Sequence, residues 1–335
     1  MWAATAGVAA YSIKKVQNEL DEQKIPLMGV MGAFVFTTQM INFTIPGTGS
    51  SGHLVGGILL AILLGPHAGF LTMASILVIQ ALFFADGGLL ALGCNIFNLG
   101  FYTCFIAFPL VYKRIIKKGY STSRIFTATM MSAIIGLQLG SFSVVLQTLF
   151  SGKTDLPFDT FVMLMQPMHL AIGVVEGLVT AAVAGFVWNT HPEIIKKAEL
   201  GEILGSISIK KVFIGFAIVA AIIGGMLSWF ASEYPDGLEW AMFNASGKEE
   251  LETPEGIHQT FATIQEKIAL LPDYRFKPQK IETNVEVKES LAVMDAGTSV
   301  SGLIGGVMTL LLVGIIGFII NVFKKFNNAK TVQSK

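Results

Sequence analysis

Apolar residues in this chain run in long blocks, without the strict alternation of a half-buried strand. Nine blocks stand out, at roughly 1–13, 25–45, 51–65, 67–85, 89–112, 125–149, 160–189, 212–231 and 298–323. A helix needs about 20 apolar residues to cross a bilayer, and most of these blocks meet that length. Barrel strands would be shorter and would alternate. Helices are the remaining way to satisfy backbone groups in lipid. The pattern therefore predicts an all-α, polytopic helical membrane protein with about nine transmembrane helices.

Lys and Arg placement predicts the orientation. The basic clusters are Lys14, Lys15 and Lys24; Lys113, Arg114, Lys117, Lys118 and Arg124; Lys196, Lys197, Lys210 and Lys211; and Lys324, Lys325, Lys330 and Lys335. With nine spans and the N-terminus outside, all of them fall on the cytoplasmic side, and Lys153 sits on a short outer loop. The expected topology is N-out/C-in. Block 51–65 would rise only about 22 Å as a helix. A re-entrant loop there would put the Lys113–Arg124 cluster outside, so charge parity favours a crossing. Block 1–13 is also short before Lys14, which predicts a first helix beginning upstream of Met1.

Composition agrees with a lipid environment: 53% of residues are hydrophobic and 14% charged, with a mean hydropathy of +0.64. Soluble domains carry about 25% charged residues. Net charge is zero, which gives no footing for a nucleic-acid partner. The charge is uneven, however: 13 of the 23 acidic residues lie in 232–297, against six basic ones. That segment also holds Trp240, Phe261 and Tyr274 and is expected to form a small, partly ordered outer loop domain. Cys94 and Cys104 both lie in apolar stretches and suggest neither a disulfide framework nor a thiolate site. No cleavable signal peptide is evident.

The densest polar group at membrane depth is Gln39, Asn42 and the run Pro46-Gly47-Thr48-Gly49-Ser50-Ser51-Gly52-His53. A neutral imidazole near the outer face suits a borderline divalent ion; the plainer reading is a capping loop before the next helix. His169 and Glu176 lie seven residues apart and share a helical face. A carboxylate deep in a span needs a partner or a wet cavity, so Glu176 is either functional or a packing clamp, with Gln166 or Asn95 as candidate partners. Asp86, on an outer turn, reads more as a capping or packing carboxylate than as a ligand. His67, His191 and His258 read as interfacial or solvated. Gln39, Asn42, Ser51, Asp86, Asn95, His169 and Glu176 are the candidates for support or translocation around a metal.

One enzymatic reading competes. Gly49-Ser50-Ser51-Gly52 matches the G-x-S-G string of intramembrane serine proteases, with His169 as the base; it requires Ser51 and His169 within hydrogen-bond reach. A non-metal membrane scaffold is the third class. No Gly-Lys-Ser/Thr phosphate loop occurs, so the chain supplies no P-loop ATPase of its own.

The runs Pro26-Leu27-Met28-Gly29-Val30, Gln39-Met40-Ile41-Asn42-Phe43, Ser51-Gly52-His53-Leu54-Val55-Gly56-Gly57 and Leu64-Gly65-Pro66 closely resemble the CbiM/NikM family. So do the stretch from Gln80-Ala81-Leu82-Phe83-Phe84-Ala85-Asp86-Gly87-Gly88 to Asn95, and His169 through Glu176. Pro235-Asp236-Gly237-Leu238-Glu239-Trp240 looks like the PDGLE signature of the small CbiN/NikN-like partner. The resemblance implies a non-enzymatic substrate-capture component of an energy-coupling-factor importer for Co²⁺ or Ni²⁺ in the inner or plasma (cell) membrane. A transmembrane coupling protein and two cytoplasmic ATPases would be its partners, and no catalytic cofactor is implied. In the family, metal binds through the free α-amine, a backbone amide nitrogen and a second-position His, with the S-G-H-L His as fourth ligand. Such nitrogen coordination suits Ni²⁺ and is acceptable to Co²⁺. The S-G-H-L His is His53 here, while the chain begins Met1-Trp2-Ala3 with no His near its start. The expected organisation is a metal-capture bundle over 1–190, whose beginning is expected to be missing, and a cytoplasmic linker over 191–211. A PDGLE-type two-helix part over 212–325, with outer loop 232–297, and a tail over 326–335 complete it.

Overall fold

The computed structural model describes residues 1–152, 156–248, 256–276 and 296–333. They are almost wholly helical. The helices are α1 (Trp2–Glu19), α2 (Lys24–Gln39), α3 (Gly57–Leu64), α4 (Pro66–Phe83), α5 (Leu92–Ile96), α6 (Lys113–Ile116) and α7 (Thr122–Ser151). There follow α8 (Phe158–Thr190), α9 (Pro192–Leu200), α10 (Lys210–Gly225), α11 (Gly237–Ser246), α12 (Ile257–Ile268) and α13 (Ala296–Gln333). Among the described residues, five helical stretches are long and apolar enough to cross a membrane: Pro66–Phe83, Leu92–Ile116, Thr122–Ser151, Phe158–Thr190 and Gly297–Phe326. The middle of the second, Phe97–Tyr112, winds as a π-helix.

Several expected spans are redrawn. α1 runs through Lys14 and Lys15 to Glu19 instead of ending at 13. The block 25–45 is helical only to Gln39, and the block 51–65 only over Gly57–Leu64. Between them β1 (Phe43–Ile45) and β2 (Ser50–Gly52) pair antiparallel, with Thr44 opposite Ser51. Pro46 removes a helix donor, and Gly47 and Gly49 take φ of 78° and 73°, a region closed to most side chains. Thr48 pins the turn, its hydroxyl donating to the Ile45 carbonyl at 2.8 Å. The expected linker carries its own helix, α9, whose Ile194, Ile195 and Ala198 are buried. Lys153, residues 249–255 and the whole of 277–295 lie outside the described residues.

The basic loops gather at one end of the bundle. Lys24 pairs with Glu19 at 2.9 Å, both side chains largely buried. Lys324 donates to the Leu20 carbonyl at 3.1 Å, and the Gly205 amide to Asp21 at 2.6 Å. Lys113 donates to the Glu199 carbonyl and Tyr120 to the Glu199 carboxylate. At the opposite end, the Trp2 indole donates to the Leu90 carbonyl at 3.0 Å. There the segment after α10 also folds over the hairpin and the α4–α5 turn. Ser232 N donates to the Asn42 carbonyl at 2.7 Å, and Gln265 reaches the Ala81 and Gly87 carbonyls at 3.0 and 2.9 Å. The described residues of 232–297 thus form a small cap over this end of the bundle.

Candidate metal site

His53 follows β2 directly, in the irregular stretch 53–56 that joins the hairpin to α3. Its Nδ1 lies 3.2 Å from the Leu54 carbonyl oxygen. A carbonyl only accepts, so Nδ1 is the donor in that contact, which leaves Nε2 as the ring nitrogen able to face a metal. That is the arrangement a metal-ligating imidazole uses, with its other nitrogen held by a carbonyl.

Residues 53–56 have no ladder partner, so their backbone groups need side chains. Glu176, buried in the middle of α8, supplies them. Its Oε2 accepts from Val55 N at 2.7 Å and its Oε1 from Gly56 N at 2.8 Å. From α2, Gln39 donates to the Val55 carbonyl at 2.7 Å, and Gln80 on α4 donates to the Gln39 side-chain oxygen at 2.8 Å. Gly56 holds φ 76°, and a Cβ there would sit 2.5 Å from the Val35 side chain. The expected partners of Glu176 are therefore replaced. Gln166 donates to Ser141 at 2.9 Å, and the Asn95 amide packs against Gly87. A carboxylate at this depth is satisfied more economically by two adjacent amides of an unpaired loop than by a distant side chain.

The other candidates divide between this loop and the cap formed by residues after α10. Ser51 is fully buried, its hydroxyl donating to the Tyr234 carbonyl at 2.7 Å and its amide to the Pro235 carbonyl at 2.8 Å. Asn42 receives Ser232. The PDGLE-like loop thus lies along the free edge of β2. Asp236 caps α11, accepting from Leu238 N and Glu239 N at 2.8 Å each, and Glu239 returns a bond to Asp236 N. This reciprocal box fixes the loop's geometry. His169 on α8 faces that loop, with its Cε1 3.6 Å from where a Gly237 Cβ would stand. Its Nδ1 donates to the Met165 carbonyl at 2.9 Å. Asp86 accepts from the Tyr274 hydroxyl. Burial pushes the Asp86 carboxyl above the usual carboxylate range, against the opposing pull of that hydroxyl and of nearby His53.

The protease pairing is overturned. Ser51 stands in a strand, not at a helix head, with its hydroxyl and amide bound to Tyr234 and Pro235, while His169 is bound to Met165. Neither residue reaches the other among the described contacts. Among the described residues, no three or more His, Cys, Asp and Glu side chains come together as a metal cage. Sequence reasoning did not single out Gln80 or Gln265. The signal for Gln80 was available, since an amide side chain inside an apolar block must find a partner, whereas Gln265 lies in the acidic segment, where an amide is unremarkable.

Comparison with known proteins bears on the same residues. Residues 1–194 match the family model described as cobalt uptake substrate-specific transmembrane region, CbiM, and residues 210–322 match the PDGLE domain. A protein of Archaeoglobus fulgidus named for fused nickel transport, NikMN, is 32% identical over 91% of this chain and 89% of its own length. One named for metal transport in Haloquadratum walsbyi is 34% identical over 58% of this chain and 86% of its own. The crystal structure of a truncated transition metal transporter superposes with a TM-score of 0.50 at 30% identity, covering 57% of this chain and 92% of that one.

Proposed function

The chain belongs to the CbiM cobalt uptake family and is a multi-pass membrane protein, and from that premise we propose that it captures Co²⁺ or Ni²⁺ from the outer side for an energy-coupling-factor importer. The observation that carries this reading is the setting of His53: an Nε2 able to face a metal, on a loop gripped by Glu176 from below. The loop's flanking strand is bound from above by the PDGLE-like segment. Both halves of the chain meet there, which suits a cargo site shared by a fused pair. His53 supplies one imidazole nitrogen; amine and amide nitrogens complete a nitrogen-rich set of the kind Ni²⁺ prefers. Such a site binds its cargo and releases it without chemistry.

In this reading the chain crosses the cell membrane nine times, N-out and C-in, with residues 1–190 as the capture unit and 212–325 as the accessory unit. The short α3 completes one crossing together with the extended stretch before it. Gathering of Lys24, Lys113 and Lys324 at one end supports the orientation. A transmembrane coupling protein and two cytoplasmic ATPases work from that side. The test is accumulation of radiolabelled nickel and cobalt by cells that express the chain with those partners. Accumulation that needs both the ATPases and His53 supports the proposal; accumulation unchanged in His53→Ala contradicts it.

A further inference from the structure

We infer that Glu176, with Gln39 and Gln80, is the positioning group that fixes the backbone of residues 54–56 and so aims the His53 imidazole; this rests on the capture reading above. Two helices each send one long polar side chain to the backbone of Val55 and Gly56, and a third helix braces one of them. Val55 has its amide held by Glu176 from α8 and its carbonyl held by Gln39 from α2. Gln80 from α4 closes the chain on Gln39. Gly56 gives its amide to the second Glu176 oxygen. All three side chains are buried: Glu176 is 1% exposed, Gln80 6% and Gln39 7%. No ordinary ladder runs through this stretch, so these bonds decide its path. His53 stands two residues before Val55, with its own ring nitrogen tied to the intervening Leu54 carbonyl. A shift of the Val55 peptide therefore moves the imidazole directly.

A clamp that only glued α8 to α3 would be indifferent to how many acceptors it offers, provided the helices stayed packed. A positioning clamp needs both. Glu176→Gln separates the two, because glutamine keeps the length but offers one carbonyl oxygen and turns an NH₂ toward a backbone amide. Glu176→Asp keeps two acceptors on a shorter arm.

The experiment titrates aqueous Ni²⁺ and Co²⁺ into the purified full chain in detergent, following heat and the visible d–d absorption of the bound ion. Glu176→Gln is expected to raise Kd by about 10- to 100-fold, as loss of an orienting partner does at metal sites. It should also shift the absorption band, and Glu176→Asp should restore part of the affinity. If Glu176→Gln does not fold, Gln39→Met is read in its place, since it frees the Val55 carbonyl and is expected to shift the same band. Wild-type affinity and spectrum in the folded variant overturn the inference. If His53→Ala loses binding while Glu176→Gln does not, only this inference falls. If His53→Ala binds as wild type, the capture reading falls and this inference with it.

Discussion

Gly65, the hinge between α3 and α4, is the position where a single methyl group tests the packing beneath the His53 loop. It holds φ 84° and ψ 161°, a region essentially reserved for glycine, so a side chain there costs about 1–3 kcal/mol in backbone strain. A Cβ would also stand 2.9 Å from the Ala198 carbonyl oxygen of α9. Ordinary contact begins at 3.4 Å, so α9 would have to retreat by about half an ångström. It is not free to do so, because the Glu199 carbonyl and carboxylate are held by Lys113 and Tyr120. Overpacking of this kind adds about 1–3 kcal/mol. Gly65→Ala is therefore expected to destabilise by about 2–6 kcal/mol in total. Gly47→Ala is the control: its φ is 78° but nothing lies within 4 Å of the added Cβ. Strain alone there costs about 1–2 kcal/mol. Unfolding in mixed micelles, followed by tryptophan fluorescence, reads both; Trp188 stacks on Tyr120 at 4.1 Å beside α9 and reports locally. Equal losses in the two variants, within about 0.5 kcal/mol, would refute the tight α3–α9 seam.

Other outcomes follow from the same contacts. Ser51→Ala removes the hydroxyl bond to the Tyr234 carbonyl and should weaken docking of the PDGLE-like loop by about 1 kcal/mol. Hydrogen exchange over residues 232–246 would then rise several-fold, and unchanged exchange would count against the contact. Tyr120 is held above the usual tyrosine range by burial, then by its hydrogen bond to Glu199 and that residue's charge. A raised folded-state value means its contribution is complete below pH about 10 and is lost as pH climbs through the folded value. Tyr120→Phe, which removes the bond to Glu199, should therefore lower the melting temperature at neutral pH and flatten the alkaline limb of its pH profile.

Much of the architecture was legible in the chain's pattern, and the failures have identifiable causes. The limits of α7 and α8 lie within a few residues of the apolar blocks 125–149 and 160–189, because long uninterrupted apolar runs leave a helix no rival in lipid. The hairpin was missed because Phe43, Thr44 and Ile45 extend the apolar run of α2, while the turn that folds them back depends on positive φ at two glycines. The π-winding of Phe97–Tyr112 leaves no mark in hydropathy, since the block is apolar almost throughout and neither helical period stands out in it. Glu176 was conspicuous as a buried carboxylate, but its partners are backbone amides, which carry no residue identity to read. Contact between Ser51 and Pro235 joins residues 184 positions apart, a pairing that only the folded chain displays. His53 stood out through the polar run it ends and then through resemblance, and the polar clamp around it emerged from geometry.

The central claim is that His53 holds the transported ion. Calorimetric titration of Ni²⁺ and Co²⁺ into the purified protein with its authentic N-terminus, and into its His53→Ala variant, tests it most directly. The account predicts saturable binding to the wild type, with affinity reduced at least about 100-fold in the variant, a loss of about 2.7 kcal/mol or more. Equal affinity in the two proteins, with both folded, would contradict it.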